Sequence, residues 1–229
     1  VTESFEEGDG GWTFVDNDGD GFNWFTHINT GTSNLTTQTG DGCVASESYS
    51  NDTGSALTPD NWLISPEAVL DGTFSFYACG QDASYADEKF GVYVAVENAG
   101  APKFAAPDVS NFSQVTAGDW TATGEMTKYE VDLSSFGGQR GYIAIVHHNV
   151  TDMFMLVVDD ITYLKATGSA AIKQYNIYVD GELVATVGAD ELTTTITGLE
   201  AGDHTVAVSV VYTNGQESKP VEATVTTDL

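Results

Sequence analysis

Short alternating runs of apolar and polar residues are the feature that most constrains the fold of this chain. The runs 72–79 and 90–97 alternate most clearly, and Val92, Val94 and Val96 would share one face of a strand. No run keeps an apolar period of 3.6 residues over three helical turns. Gly, Asn, Asp, Ser and Thr separate the runs, as between strands of a sandwich. We therefore expect an all-β fold.

The residue composition changes once along the chain. Residues 1–165 are rich in aromatic residues and form one predicted domain. Residues 166–171 are small and polar and predict a linker, and residues 172–229 predict a second, smaller β-sandwich. In that second domain, Asp180-Gly181 separates two strand-like runs and predicts a hairpin with a type I′ turn.

The net charge limits the classes of molecule that this chain is expected to bind, and the length of its apolar runs limits its expected location. Lys and Arg together number 7 against 34 Asp and Glu, a net charge of −27 in 229 residues. This balance argues against nucleic acid and anionic membranes as partners and favours cations. No apolar run is long enough to insert into a membrane. We expect an extracellular or cell-surface monomer whose export signal or anchor is not present in this chain, which starts abruptly at Val1.

The two cysteines are too few to define a disulfide framework. Cys43 and Cys79 each lie in an apolar, strand-like context. We expect two buried thiols rather than a disulfide bond.

Three carboxylates, those of Asp16, Asp18 and Asp20, fall within five residues at the start of the chain. They repel one another unless a positive charge lies between them, and Ca²⁺ binds six to eight oxygens from glycine-rich loops of this kind. The spacing, with Gly21, imitates the first half of an EF-hand loop. However, the twelfth position is His27 rather than Glu, and no helices flank the loop, so we reject an EF-hand.

Distant strands would have to complete this calcium site. Glu6, on the first predicted strand, and the pair Asp159-Asp160, inside the apolar run 153–164, are the candidates. Only one carboxylate of the pair can point inward, because successive side chains on a strand face opposite ways. Such calcium would be structural, a clasp between the first loop and the last strand. The alternative is a solvated turn at Asp16, with Asp159 or Asp160 capping nearby amides.

A second acidic loop, residues 81–88, offers a second possible calcium site. Asp82, Asp87 and Glu88 lie in this loop, and Asp152 follows a later strand and could join them. From the residues alone, an exposed acidic loop without metal is an equal alternative.

Aromatic residues and catalytic motifs bear on ligand binding. Tyr85 and Trp120, flanked by small or polar residues, are candidate exposed ligand contacts, whereas Trp62 is expected in the core.

The pair His147-His148 does not predict zinc, because neighbouring strand residues face opposite ways. The chain has no Gly-x-Ser-x-Gly elbow for a nucleophilic serine. We do not expect an enzyme.

The C-terminal part resembles a fibronectin type III domain. The residues that carry the resemblance are Tyr175-Asn176-Ile177-Tyr178-Val179-Asp180-Gly181-Glu182, Thr197-Gly198-Leu199-Glu200-Ala201-Gly202-Asp203-His204-Thr205-Val206 and Val210-Val211-Tyr212-Thr213-Asn214-Gly215. The resemblance implies a spacer or a module for protein contacts.

The first 165 residues resemble the cleaved-adhesin domain that is repeated in the haemagglutinin regions of the gingipain proteases. The matching stretches are Glu3-Ser4-Phe5-Glu6, residues 16–24, Asp60-Asn61-Trp62-Leu63-Ile64-Ser65-Pro66, residues 79–88 and Leu156-Val157-Val158-Asp159-Asp160-Ile161. The resemblance implies a galactose-binding-like jelly roll with bound calcium, similar to MAM domains, and it favours the second ion. It also implies adhesion without catalysis.

The expected ligand of such a module is a protein or glycan of a host or neighbouring cell. An alternative is a carbohydrate-binding accessory module of a larger polysaccharide-degrading enzyme. A hydrolase is the third hypothesis, and the missing catalytic motifs speak against it.

Overall fold

A computed structural model describes residues 1–97, 108–166, 172–212 and 217–227 of the chain. These residues divide into two compact units. Unit 1 contains the first two ranges and unit 2 the last two. The predicted linker 166–171 lies, beyond its first residue, outside the described residues.

Unit 1 is built from short strands. In chain order they are β1 (Thr2–Glu3), β2 (Thr13–Asp16), β3 (Phe25–Ile28), β4 (Gly42–Glu47), β5 (Tyr49–Ser50), β6 (Ser55–Ala56), β7 (Asp60–Ile64), β8 (Ala68–Leu70), β9 (Thr73–Gly80), β10 (Lys89–Val96), β11 (Ser113–Gln114), β12 (Trp120–Thr121), β13 (Thr127–Asp132), β14 (Gln139–His148) and β15 (Met155–Thr162). The helical turns Val109–Asn111 and Ser134–Phe136 are single 3₁₀ turns. Among the residues that the structure describes, no helix has the length and apolar character needed to span a membrane.

Two antiparallel sheets form the sandwich. Sheet A has the order β13-β9-β15-β4-β3, with β1 added to β15. Sheet B has the order β11-β10-β14-β7-β2, with β12 added to β10 and β8 to β14. The all-β fold expected from the alternating pattern is confirmed, and the two packed sheets agree with the sandwich that the family resemblance implies.

The main core lies between the two sheets. Phe76 and Leu156 enter it from sheet A, and Leu63, Phe90 and Ile145 enter it from sheet B. These side chains are fully buried, which stabilises the fold by about 1.5–3 kcal/mol for each side chain.

Strand β15 is covered on both faces, as its near-continuous apolar sequence predicts. Leu156 and Val158 face the main core, while Val157 packs with Cys43 and Cys79 on the outer face of sheet A. Both cysteines are free and buried, which confirms the prediction of two thiols. Burial raises the pKa of Cys43 to about 12 and that of Cys79 to about 11.

The beginning of the chain differs from the first predicted strand, on which Glu6 was expected. Strand β1 ends at Glu3, and Phe5 has a left-handed backbone with φ 57°. Glu3 Oε1 accepts a hydrogen bond from the Phe5 N–H at 2.9 Å, which turns the chain away from the sheet. Phe5 nevertheless points into the core and is fully buried, and Glu6 is exposed.

Unit 2 is a four-stranded antiparallel sheet in the order β17-β16-β18-β19. Its strands are β16 (Ile172–Val179), β17 (Glu182–Gly188), β18 (Gly202–Tyr212) and β19 (Val221–Thr227). Asp180 and Gly181 both have positive φ, 52° and 88°, which confirms the type I′ hairpin. Residues 193–197 form no strand, so the described part of unit 2 contains one sheet rather than the predicted sandwich.

Candidate metal and ligand sites

The aspartate loop, residues 16–21, begins where β2 ends. Asp16 lies at its centre, because its carboxylate accepts hydrogen bonds from the N–H groups of Gly19 at 2.7 Å and Gly21 at 2.9 Å. Both glycines have positive φ, which permits this tight winding. The loop is anchored to sheet B by Trp24, which is buried and donates its indole N–H to the Asn61 carbonyl at 3.0 Å.

The carboxylates of Asp16, Asp18 and Asp20 offer ligand oxygens that all lie within 4.8 Å of one another. Partial burial, the hydrogen bond with Asp16 and the charge of Asp20 raise the pKa of Asp18 to about 6. The same hydrogen bond from Asp18 lowers the pKa of Asp16. The cluster thus needs positive charge, and its hard oxygen donors fit a cation such as Ca²⁺.

The structure does not bring Glu6, Asp159 and Asp160 into this cluster. Among the described residues, the group able to hold a metal contains the three loop aspartates alone. The reason is the topology: the aspartate loop follows an edge strand of sheet B, whereas Asp159 lies in β15 of sheet A. The clasp predicted between the first loop and the last strand is therefore not assembled around one point.

Glu6 and Asp159 instead hold the segment that precedes β4. The Glu6 carboxylate accepts hydrogen bonds from the N–H groups of Asp41 at 3.1 Å and Gly42 at 2.9 Å. Asp159 Oδ2 accepts from the N–H groups of Gln38 at 2.7 Å and Thr39 at 3.0 Å. The capping by Asp159 is the alternative that the sequence left open.

Asp159 is the inward member of the acidic pair. It is fully buried, and burial raises its pKa to about 6 against the lowering effect of the amides that it caps. Asp160 is half-buried, has a left-handed backbone with φ 47° at a β-bulge, and accepts a hydrogen bond from the Thr39 hydroxyl.

Glu88 does not join Asp82 and Asp152, which corrects the second predicted metal site. It is fully buried, and its Oε1 accepts hydrogen bonds from the Ser48 hydroxyl at 2.8 Å and the Phe154 N–H at 2.9 Å. Its Oε2 lies 2.9 Å from His147 Nε2. Both oxygens are thus engaged inside the protein, so Glu88 serves as a structural anchor.

His147 was missed as a partner of Glu88. Its Nδ1 lies 2.8 Å from the Ser46 hydroxyl, and the ring is fully buried. The available signal was the pair His147-His148 on an apolar strand: one ring had to face inward and needed a polar partner. His148, on the other face, lies 3.0 Å from Asp119 through Nε2.

The other two predicted carboxylates line one cavity together with a predicted ligand contact. Asp82, Asp152 and Tyr85 line one cavity of about 430 Å³, here called the Tyr85 cavity. Tyr85 is 53% exposed, as expected for a ligand contact. The remaining lining residues are Tyr49, Asn51, Met153 and Phe154.

The structure corrects the prediction for Trp120, which is a packing residue rather than an exposed ligand contact. Its ring stacks on Tyr129 with centroids 5.2 Å apart and meets Phe90 edge-on at 6.0 Å. It is half-buried against the main core. Trp62 is buried, as expected, on the outer face of sheet B.

Comparison with known proteins assigns unit 1 to a family. The model of the Cleaved Adhesin Domain matches residues 1–163. Hemagglutinin A of Porphyromonas gingivalis strain W83 is 34% identical over 227 residues, which is 95% of this chain and 10% of that protein. Lys-gingipain W83 of P. gingivalis is 33% identical over 227 residues, 95% of this chain and 13% of that protein. The chain therefore spans about a tenth of the length of these relatives.

Solved structures agree with this assignment. The K1 cleaved adhesin domain of Lys-gingipain from P. gingivalis W83 has a TM-score of 0.59 and 32% identity, covering 73% of this chain and 98% of that domain. The K3 domain of the same protein has a TM-score of 0.58 and 32% identity, covering 72% and 98%. Through residues 1–163, this chain belongs to the Cleaved Adhesin Domain family.

Proposed function

We propose that this chain is a calcium-stabilised, non-catalytic binding module of a secreted or cell-surface adhesin. Membership of the Cleaved Adhesin Domain family carries the proposal. The name of the relative Hemagglutinin A supports a role in attachment to cells. A protein or glycan of a host or neighbouring cell is the proposed ligand.

Two domains, 1–165 and 172–229, are part of the proposal. The four-stranded antiparallel sheet and the type I′ hairpin of unit 2 support a fibronectin III-like module. We assign it a spacer role. The similarity to Hemagglutinin A spans 95% of this chain, so it reaches beyond the part matched by the family model.

Calcium is assigned to the aspartate loop. Asp16, Asp18 and Asp20 would supply carboxylate oxygens, and the ion would compensate the negative charge of the three clustered aspartates. Because Trp24 and Asn61 tie the loop to sheet B, binding there would stabilise unit 1. The role is structural.

Thermal unfolding in the presence and absence of calcium tests this proposal. Calcium at a hundredfold its dissociation constant adds about 2.7 kcal/mol to the free energy of unfolding. For a unit of this size the Tm should rise by about 5–10 °C over its value in EDTA. Asp18→Asn should remove the rise, whereas Asp71→Asn, in an exposed turn outside the cluster, should retain it.

Two results would overturn the proposal. One is an unchanged Tm in excess EDTA, together with purified protein that retains no calcium. The other concerns adhesion: beads coated with the chain should bind erythrocytes more than beads coated with albumin, and equal binding would reject an adhesin.

A further inference from the structure

The Tyr85 cavity combines aromatic rings with carboxylates. Tyr49, Tyr85 and Phe154 supply the rings, and Asp82 and Asp152 supply the negative charge. None of the residues that line it is Lys, Arg or His. Its volume of about 430 Å³ lies in the range of small-ligand sites.

We propose that the Tyr85 cavity binds a basic side chain, arginine or lysine, of a partner protein. Cations bind over aromatic faces, and carboxylates form short, strong hydrogen bonds with guanidinium and ammonium groups. The inference rests on the proposed adhesin function, for which it names the chemistry of the ligand.

The two carboxylates retain free hydrogen-bonding capacity. No described residue donates a hydrogen bond to the Asp152 carboxylate, and Asp82 accepts only from the Ser84 N–H, at 2.7 Å. By contrast, Asp119 is already engaged by His148 and Asn149. The charge in the Tyr85 cavity is therefore available to an incoming cation.

Hydrogen bonds hold the backbone of the segments that line the cavity. Buried Glu88 accepts hydrogen bonds from Ser48 and from the Phe154 N–H, and the Phe154 carbonyl accepts from the Tyr49 N–H at 3.2 Å. In the loop 81–88, the Tyr85 N–H donates to the Asp82 carbonyl at 2.9 Å. A preformed site loses less conformational entropy on binding, which favours capture of a single side chain.

Charge favours a basic side chain over a neutral sugar. A sugar would leave both carboxylates uncompensated, whereas a cation is also attracted over long range by a chain of net charge −27. The adjoining cavity, which shares Met153, differs because Lys89 and His148 line it together with Asp60. The purely acidic lining thus distinguishes the Tyr85 cavity.

The test compares two peptides that differ only in charge. Acetyl-Gly-Arg-Gly-amide and its citrulline counterpart have nearly the same shape, but citrulline is neutral. We expect the arginine peptide to shift the NMR signals of the Tyr85 and Phe154 rings and to bind at least about tenfold more tightly, a difference of about 1.4 kcal/mol. Raising the salt concentration from 50 to 500 mM should weaken binding.

Single-residue variants test whether the arginine peptide binds in the Tyr85 cavity. Tyr85→Ala and Asp152→Asn should each weaken the arginine peptide at least about fivefold, whereas Asp71→Asn should not change it. Each variant is also unfolded with and without calcium. Tyr85→Ala should keep the calcium-dependent rise in Tm, which shows that it is folded and separates the two proposals.

Three outcomes would overturn the inference. The first is equal binding of the arginine and citrulline peptides. The second is a shift of the Tyr85 signals by galactose or xylohexaose but not by the arginine peptide, which would indicate a glycan site. The third is saturable displacement of the peptide by calcium below 1 mM, which would assign the cavity to the ion. A chain that binds the arginine peptide but shows no calcium effect on Tm refutes the calcium proposal alone.

Discussion

Replacing Glu88 with alanine should strongly destabilise unit 1. The substitution removes the acceptor of two hydrogen bonds, from the Ser48 hydroxyl and the Phe154 N–H, and the partner of His147 Nε2. Both ionisable side chains are 0% exposed, so the partners left behind are shielded from water.

The magnitude follows from burial. Removing one member of a buried, hydrogen-bonded pair costs about 3–5 kcal/mol in free energy of unfolding. The control Glu130→Ala breaks an ion pair with Lys128 whose side chains are 55% and 46% exposed, and such surface pairs contribute about 0–1 kcal/mol. At about 2–4 °C for each kcal/mol, Glu88→Ala should lower the Tm by about 6–20 °C.

Tryptophan fluorescence during urea unfolding measures this loss selectively. The four tryptophans, Trp12, Trp24, Trp62 and Trp120, all lie in unit 1, so their signal reports that unit in the full chain. A loss below 1 kcal/mol for Glu88→Ala, or one equal to that of Glu130→Ala, would refute the reasoning. Water or a relaxed loop would then have replaced the lost partners.

Two further predictions concern close packing and pH. Gly80→Ala should destabilise unit 1 by about 1–3 kcal/mol, because the new Cβ would lie 2.4 Å from the backbone of Ala86. In Gly118→Ala the new Cβ would have no atom within 4 Å, so the free energy of unfolding should change by less than about 0.5 kcal/mol in the same urea assay. Similar losses for the two variants would contradict the argument. In unit 2, the hydrogen bond with Asp180 raises the pKa of His204 above 6.5. The pair therefore stabilises unit 2 fully below pH 6.5, and this contribution is lost as the pH rises through the raised pKa. An NMR titration should show the raised pKa, and Asp180→Asn should lower it; an unchanged pKa in that variant would reject the pairing.

Features encoded locally were predictable from sequence. The alternating runs in β9 and β10 and the Asp180-Gly181 turn depend on neighbouring residues only. The aspartate loop was predictable for the same reason, because its three carboxylates and two glycines lie within six residues.

Non-local pairings were not predictable. Asp16 and Asp159 belong to different sheets, and no pattern along the chain shows which sheet a strand joins. Glu88 resembled its acidic neighbours in sequence, and its buried partner His147 lies 59 residues away. Trp120 has polar neighbours in sequence, but the rings that enclose it, among them Tyr129, come from other strands.

The pairing of β1 with β15 sets a minimum delay before unit 1 can finish folding. Thr2 lies opposite Thr162, and their hydroxyls are 2.8 Å apart across 160 residues of chain. At a synthesis rate of about 5–20 residues per second, the first strand waits roughly 8–30 s for its partner. During that time Phe5, which is fully buried in the finished sandwich, has no completed core to enter. Unit 1 therefore completes its folding only after its last strand has been synthesised, and apolar side chains such as Phe5 lie outside a finished core until then.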